Sequence, residues 1–146
     1  MATDEPDAAD LLLRVSRRLQ RRVGDRLAPL GVTQAQVRVL RALDREHRPV
    51  RMGVLAERLD VVPRSATSLV DALAAAGLVR REPDPDDRRV VAVSLTPEGR
   101  RTLAAVRRVR RLVADELMAP LDLDQRAVLR SLLEAVAVSG PTQAAP

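Results

Sequence analysis

The chain has 146 residues, which makes one domain the default, and its 25 Arg and Lys against 20 Asp and Glu leave a formal net charge of +5. Apolar residues make up 46%, enough for a core, but no apolar run approaches the roughly 18 to 20 residues that span a bilayer, which excludes a membrane-spanning protein. Cys is absent and His47 is the one histidine, so disulfides, thiolate zinc sites, thiol redox switches and His-rich metal sites are excluded and no cofactor is expected.

Met1 to Asp10 carries four acids and no base, the reverse of a secretory leader, and a cytoplasmic location is expected. Phe, Tyr, Trp, Ile, Asn and Lys are all missing. Most of these use AT-rich codons, so the all-Arg basic set reads as a GC-rich coding bias rather than as selection for phosphate forks. The lack of aromatics does bear on function. Single-strand and RNA binders stack bases on Phe, Tyr or Trp, so a nucleic-acid partner of this chain would be duplex DNA.

Leu12, Val15, Leu19, Val23, Leu27 and Leu30 fall at spacings of three and four, which predicts an amphipathic helix over 7–30. Arg14, Arg17, Arg18, Arg21 and Arg22 flank that stripe and read as a solvated face. Gly31 stops the helix. Thr33 and Gln36 then form a predicted capping box, with Val32 and Val37 as its hydrophobic staple. The second helix turns Val37, Leu40 and Leu43 inward to about Arg45, His47 falls in the exit loop, and Pro49-Val50 begins an extended link.

A short helix from Met52 with Leu55, Ala56 and Leu59 inward, a break at Asp60-Val61-Val62 and a new helix at Pro63 give helix-turn-helix spacing. Ala56 is small where the helices cross, Val61 plugs the corner, and Pro63 suits a first helical position. The second of these helices buries Ala66, Leu69, Val70 and Leu73 and turns Arg64, Ser65, Thr67, Ser68 and Asp71 outward. Gly77 caps it.

Two strands around Leu78–Glu82 and Val90–Leu95 form a hairpin, with Val91, Val93 and Leu95 on one face. Its loop holds Asp84, Asp86 and Asp87, but it lacks the distal Glu and turn Gly of a calcium loop and carries two Pro, so a metal is not expected there. Thr96-Pro97-Glu98 starts a long helix with Leu103, Val106, Val113 and Leu117 inward, ended by Pro120. Asp122 caps a last helix with the stripe Leu129, Leu132, Leu133 and Val136, up to Gly140-Pro141.

The fold class is therefore mainly α with a small β-hairpin wing: a winged helix-turn-helix inside a helical dimerisation frame. The terminal helices carry more apolar stripe than a chain of this size covers alone, so a second copy is the expected cover. The reading is a single domain over 1–146, with dimerisation helices at 7–30 and 96–139, a DNA-binding region at 33–95 and a disordered tail at 140–146. Leu12, Val15, Leu19, Val113, Leu117, Leu129, Leu132 and Leu133 are the candidate dimerisation residues.

Over about residues 9–139 the chain resembles the MarR family, the multiple antibiotic resistance type of bacterial transcriptional regulators. Three pieces carry the likeness: Thr33–Leu40, then Leu69–Leu73 with Gly77-Leu78-Val79, and the wing signature of Asp87-Arg88-Arg89 followed by Leu95-Thr96 and Gly99. Val62 departs from the Ser or Thr common before the recognition-helix Pro, a lost cap worth about 0.5 to 2 kcal/mol.

The winged-helix geometry makes Arg64, Ser65, Thr67 and Ser68 the candidate major-groove readers. The resemblance places Arg88 and Arg89 in the minor groove, with Asp87 holding Arg89 or the loop in shape. It further implies a nucleoid-associated homodimer that represses from a palindromic operator and releases it on binding a small anionic or aromatic effector beside an Arg of the first or second helix. The lack of Cys excludes a peroxide-sensing thiol.

A low-specificity nucleoid-coating protein is the alternative, separated by the affinity ratio between the protein's own upstream DNA and random DNA at fixed salt. A protein-interaction bundle leaves the wing signature unexplained. No enzyme is expected, because no nucleophile-elbow glycines frame a Ser.

Overall fold

A computed structural model describes residues 7–46 and 48–138. His47 and the tail at 140–146 lie outside the described residues, so the sequence reading of both stays an expectation. Within the described residues the order is α1 (Ala8–Leu27), a 3-10 turn (Ala28–Leu30), α2 (Gln34–Asp44), β1 (Val50–Arg51), α3 (Met52–Leu59), α4 (Pro63–Ala75), β2 (Val79–Pro83), β3 (Val91–Leu95), α5 (Pro97–Met118) and α6 (Leu123–Val138). This is the mainly helical class with a small β wing.

Short-range chemistry sets most of the helix ends. The Thr33 hydroxyl accepts from the Gln36 N–H at 3.2 Å while the Gln36 carboxamide accepts from the Thr33 N–H at 2.8 Å, the reciprocal box expected from their spacing. Asp122 and Gln125 repeat it at α6. Gly77, at φ +71°, closes α4, as the Leu78 N–H donates to the Leu73 carbonyl and the Gly77 N–H to that of Ala74. The first helix is shorter than the predicted 7–30. Pro29 has no N–H to donate and its ring crowds the preceding turn, so the chain tightens into a 3-10 turn after Leu27.

The sheet has three strands in the order β1-β3-β2, all antiparallel. The strand added to the predicted hairpin is β1, which follows Pro49 in the predicted extended link and pairs Val50 with Val93 and Arg51 with Ala92. Two residues are too few to show a period of two. Val93 and Leu95 are buried as the alternation predicts, but Val91 is 47% exposed because it pairs with Pro83 at the far end of the hairpin, beyond the core.

The core gathers around α2, which packs on α3, α4, α5 and β3. Being covered on several sides, α2 buries Val39 as fully as Val37 and Leu40, a position its amphipathic stripe did not include. Leu27, Leu55, Leu73, Leu103 and Val106 complete the centre. Val113 belongs with them: it is fully buried by its own chain, which corrects its placement among the dimerisation residues. By contrast, α6 buries no residue. Leu132 and Leu133 on α6, and Leu12 and Val15 on α1, stand exposed, while Leu19 and Leu117 pack half-buried at the rim of the core.

Candidate nucleic-acid interface

The helix-turn-helix corner is built from backbone hydrogen bonds and one apolar plug. Asp60 adopts a left-handed conformation (φ +53°) that turns the chain after α3, and its N–H caps the carbonyls of Ala56 and Glu57. From α2, the Arg38 guanidinium donates to the Leu59 carbonyl. Val61 packs half-buried against the core, whereas Val62 is 65% exposed at the N-cap of α4. As its side chain requires, Val62 offers no cap. Pro63 needs none, and the Ser65 N–H donates to the Val62 carbonyl at 2.9 Å, so little of the usual capping stabilisation is lost.

Ala66, Val70 and Leu73 anchor α4 in the core, which fixes the opposite face of the helix toward solvent. That face presents Arg64, Ser65, Thr67 and Ser68, all exposed. The Thr67 hydroxyl donates to the Pro63 carbonyl at 3.0 Å and that of Ser68 to the Arg64 carbonyl at 3.1 Å. With their protons committed to the helix, both hydroxyls offer lone pairs outward, which suits base amino groups: cytosine N4 or adenine N6. Arg64, bearing donors only, suits guanine O6 and N7. Asp71, further along, is held in an ion pair with Arg81 of β2, which ties α4 to the wing.

At the wing tip Arg88 and Arg89 are exposed, and neither has a side-chain hydrogen bond or ion pair among the described residues. Asp87 accepts the backbone N–H of Arg89 at 3.1 Å, and its own carbonyl accepts that of Val90 at 2.9 Å. Its carboxylate therefore shapes the loop backbone at Arg89 rather than gripping the guanidinium.

The residue that organises the loop is Asp84, 1% exposed. Arg51 on β1 grips its carboxylate with Nε at 3.0 Å and Nη2 at 2.9 Å, and the N–H groups of Asp86 and Asp87 each donate to Oδ1 at 3.0 Å. Sequence reasoning weighed Asp84 as a cation ligand and missed this role. The two residues are 33 apart in sequence, and only the pairing of β1 with β3 brings them together.

The Arg51 hydrogen bonds hold the Asp84 carboxyl well below its ordinary value of 3.8, with burial opposing them and the two loop N–H groups assisting. A lowered folded-state pKa stabilises the fold above the ordinary value, and that stabilisation is lost as pH falls below it. Asp84→Asn will therefore melt lower than the parent at pH 7, and the gap will narrow below about pH 4 in thermal unfolding across a pH series.

The MarR family model matches residues 30–90. An HTH-type transcriptional regulator of Mycobacterium leprae is 36% identical over 129 residues, covering 88% of this chain and 89% of the relative. The multiple antibiotic resistance protein MarR of Escherichia coli is 32% identical over 130 residues, covering 86% and 88%; a crystal structure of MarR from that bacterium superposes with a TM-score of 0.78 over 92% of this chain and 98% of its own. The repressor CouR, solved on a 23-mer DNA duplex, is 30% identical with a TM-score of 0.70, covering 90% and 92%. CouR from Rhodococcus jostii has also been solved with p-coumaroyl-CoA, at 25% identity and a TM-score of 0.69, covering 94% and 96%.

Proposed function

Because the chain belongs to the MarR family of DNA-binding transcriptional regulators, we propose that it acts as a homodimeric, effector-responsive repressor on a palindromic operator. It is a regulator and not an enzyme. The observation that carries the proposal is the outward face of α4, where Arg64, Ser65, Thr67 and Ser68 stand exposed next to a wing whose two tip arginines are unpaired among the described residues. α4 enters the major groove with those four residues at base edges, and Arg88 and Arg89 reach the flanking minor groove, shaped by Asp87. The complex of CouR with a 23-mer DNA duplex supports duplex DNA as the partner.

The exposed leucines of α6 and α1 support the dimer, since a single chain leaves them in water. Sedimentation at micromolar concentration will give about twice the 16.0 kDa chain mass. A footprint will show two half-sites with centres about 10 bp apart. A monomer, or a footprint without two-fold symmetry, overturns this part of the proposal. Leu132→Asp will weaken dimerisation and operator binding by about tenfold or more, because a charge in an apolar interface is poorly solvated.

For the effector, the best-supported site is a cleft of 480 Å³ where α1, the start of α2 and α5 meet, floored by Leu19, Val23 and Ala114. Arg110 lines it, and its Nε is buried without a hydrogen-bond partner among the described residues. Burial, and to a lesser extent neighbouring Arg41, lower the Arg110 pKa. A carboxylate there would satisfy the orphaned donor and offset both penalties. The sequence reading pointed to an arginine of the first or second helix, whereas Arg110 lies on α5. The CouR complex with p-coumaroyl-CoA supports an effector in this fold. Arg110→Ala will raise the benzoate concentration needed to release operator DNA by about tenfold and leave ligand-free operator affinity unchanged.

A further inference from the structure

We propose that the arginine face of α1 binds a small molecule bearing a di- or triphosphate. Arg14, Arg17, Arg18 and Arg21 recur at three- and four-residue spacing, which stacks four guanidiniums on one face within roughly 10 Å of helix axis. All four are exposed, and none has a side-chain hydrogen bond or ion pair among the described residues. Their neighbours behave differently, since Arg22 and Arg26 both reach Glu116 of α5. Arg14 with Arg18 and Arg17 with Arg21 are like-charged pairs four apart, which repel and weaken the helix until an anion lies across them.

The face borders a wide, open depression on the surface. With Gln20 and Gln34, the four arginines line a volume of 780 Å³, inside the range of small-molecule sites, about 300 to 1,000 Å³. Gln34 donates to the Gln20 carbonyl at 2.7 Å and pins the first turn of α2 against α1, which fixes the far edge. Guanidinium forks match phosphate oxygens bidentately. One carboxylate would satisfy a single arginine and leave three unpaired, whereas a di- or triphosphate presents several anionic groups in a row.

DNA is the competing polyanion. Yet α1 packs on α5 and the 3-10 turn and makes no comparable contact with α4 or the wing strands, so the stripe is not an extension of the reading face. At 100° per residue it also points away from Leu12, Val15 and Leu19. The opening meets the Arg110 cleft at Gln20 and Gln34, but nothing in the stripe depends on an effector at Arg110.

Calorimetric titration of the full chain with sodium tripolyphosphate, ADP and orthophosphate at about 150 mM salt tests the site. Tripolyphosphate and ADP are expected to saturate at one per chain and to bind about tenfold or more tighter than orthophosphate. A tighter ADP isotherm assigns the site to nucleotides, and equal or tighter tripolyphosphate assigns it to the phosphate chain itself. The double variant Arg17→Gln/Arg18→Gln will lose about tenfold for both, with a melting temperature equal to or slightly above the parent's because both like-charged pairs are relieved, while Arg88→Gln/Arg89→Gln will keep parental affinity. Absence of saturable binding, or equal loss in the wing variant, overturns the proposal. So does a drop of about two in the salt slope of operator binding in Arg17→Gln/Arg18→Gln, which would make the stripe a DNA-backbone contact.

Discussion

Gly99→Ala will melt about 6 to 12 °C below the parent protein, from a destabilisation of about 3 kcal/mol. Gly99 lies in the first turn of α5, where its N–H donates to the Thr96 hydroxyl at 3.0 Å. That hydroxyl in turn donates to the Gly77 carbonyl at 2.7 Å, and the Thr96 N–H donates to the Leu78 carbonyl at 3.1 Å. The start of α5 is thus clamped onto the junction between α4 and β2. A Cβ on Gly99 would stand 2.0 Å from the Leu78 carbonyl oxygen and 3.3 Å from Leu95 Cδ2. The oxygen belongs to backbone that is already hydrogen-bonded, so α5 must lift and the clamp must open. Helix propensity pulls the other way, favouring Ala over Gly by up to about 1 kcal/mol. Gly53→Ala is the control, because a Cβ at that α3 position meets nothing within 4 Å. It will leave stability unchanged or raise it by about 0.5 to 1 kcal/mol. Thermal unfolding of the two variants beside the parent decides the matter, and a Gly99→Ala protein at least as stable as its parent would show that α5 is not seated as described.

The same glycine shows where the sequence was legible. Leu95-Thr96 and Gly99 were readable as a family signature before any physical reason for them was visible. The reason is a close approach between segments some twenty positions apart. Features whose partners lie within a turn or two were read directly: the Thr33–Gln36 box, Pro63 at a first helical position, the Gly77 cap and the Thr96 cap each depend on neighbours no more than five residues away. Features made by strand pairing or multi-sided packing were not. Arg51 has no local sign of its role, because its partner Asp84 arrives through β1 and β3. Val39 looked like an outward position on a one-faced helix and is buried because α2 is covered on several sides. Arg110 shares its helix with Arg100, Arg101, Arg107, Arg108 and Arg111, and only the packed structure separates the one with an orphaned buried donor from those in solvent.

Arg64→Ala will weaken binding to the preferred operator by about 1 to 3 kcal/mol and flatten the preference at one base pair in each half-site. Its effect on random DNA will be much smaller. Arg64 is the second residue of α4, exposed and without a side-chain partner among the described residues, ahead of two hydroxyls whose protons are held by the helix. A donor-only fork followed by acceptors predicts a guanine paired with Arg64 and a cytosine or adenine amino group offered to Thr67 or Ser68. Arg89 works through a different term. In a narrow A·T-rich minor groove it senses potential rather than base edges, so Arg89→Ala will lose most where the flank is A·T-rich. Asp87→Ala will follow it in weaker form, because Asp87 holds the Arg89 backbone N–H and not the guanidinium itself. Affinity measured for each variant on sites differing either in the half-site or in the flank, across a salt series, separates the two modes. Should Arg64→Ala weaken every site equally and lower the salt slope by about one, Arg64 holds a phosphate, and base reading in this helix falls to Ser65, Thr67 and Ser68.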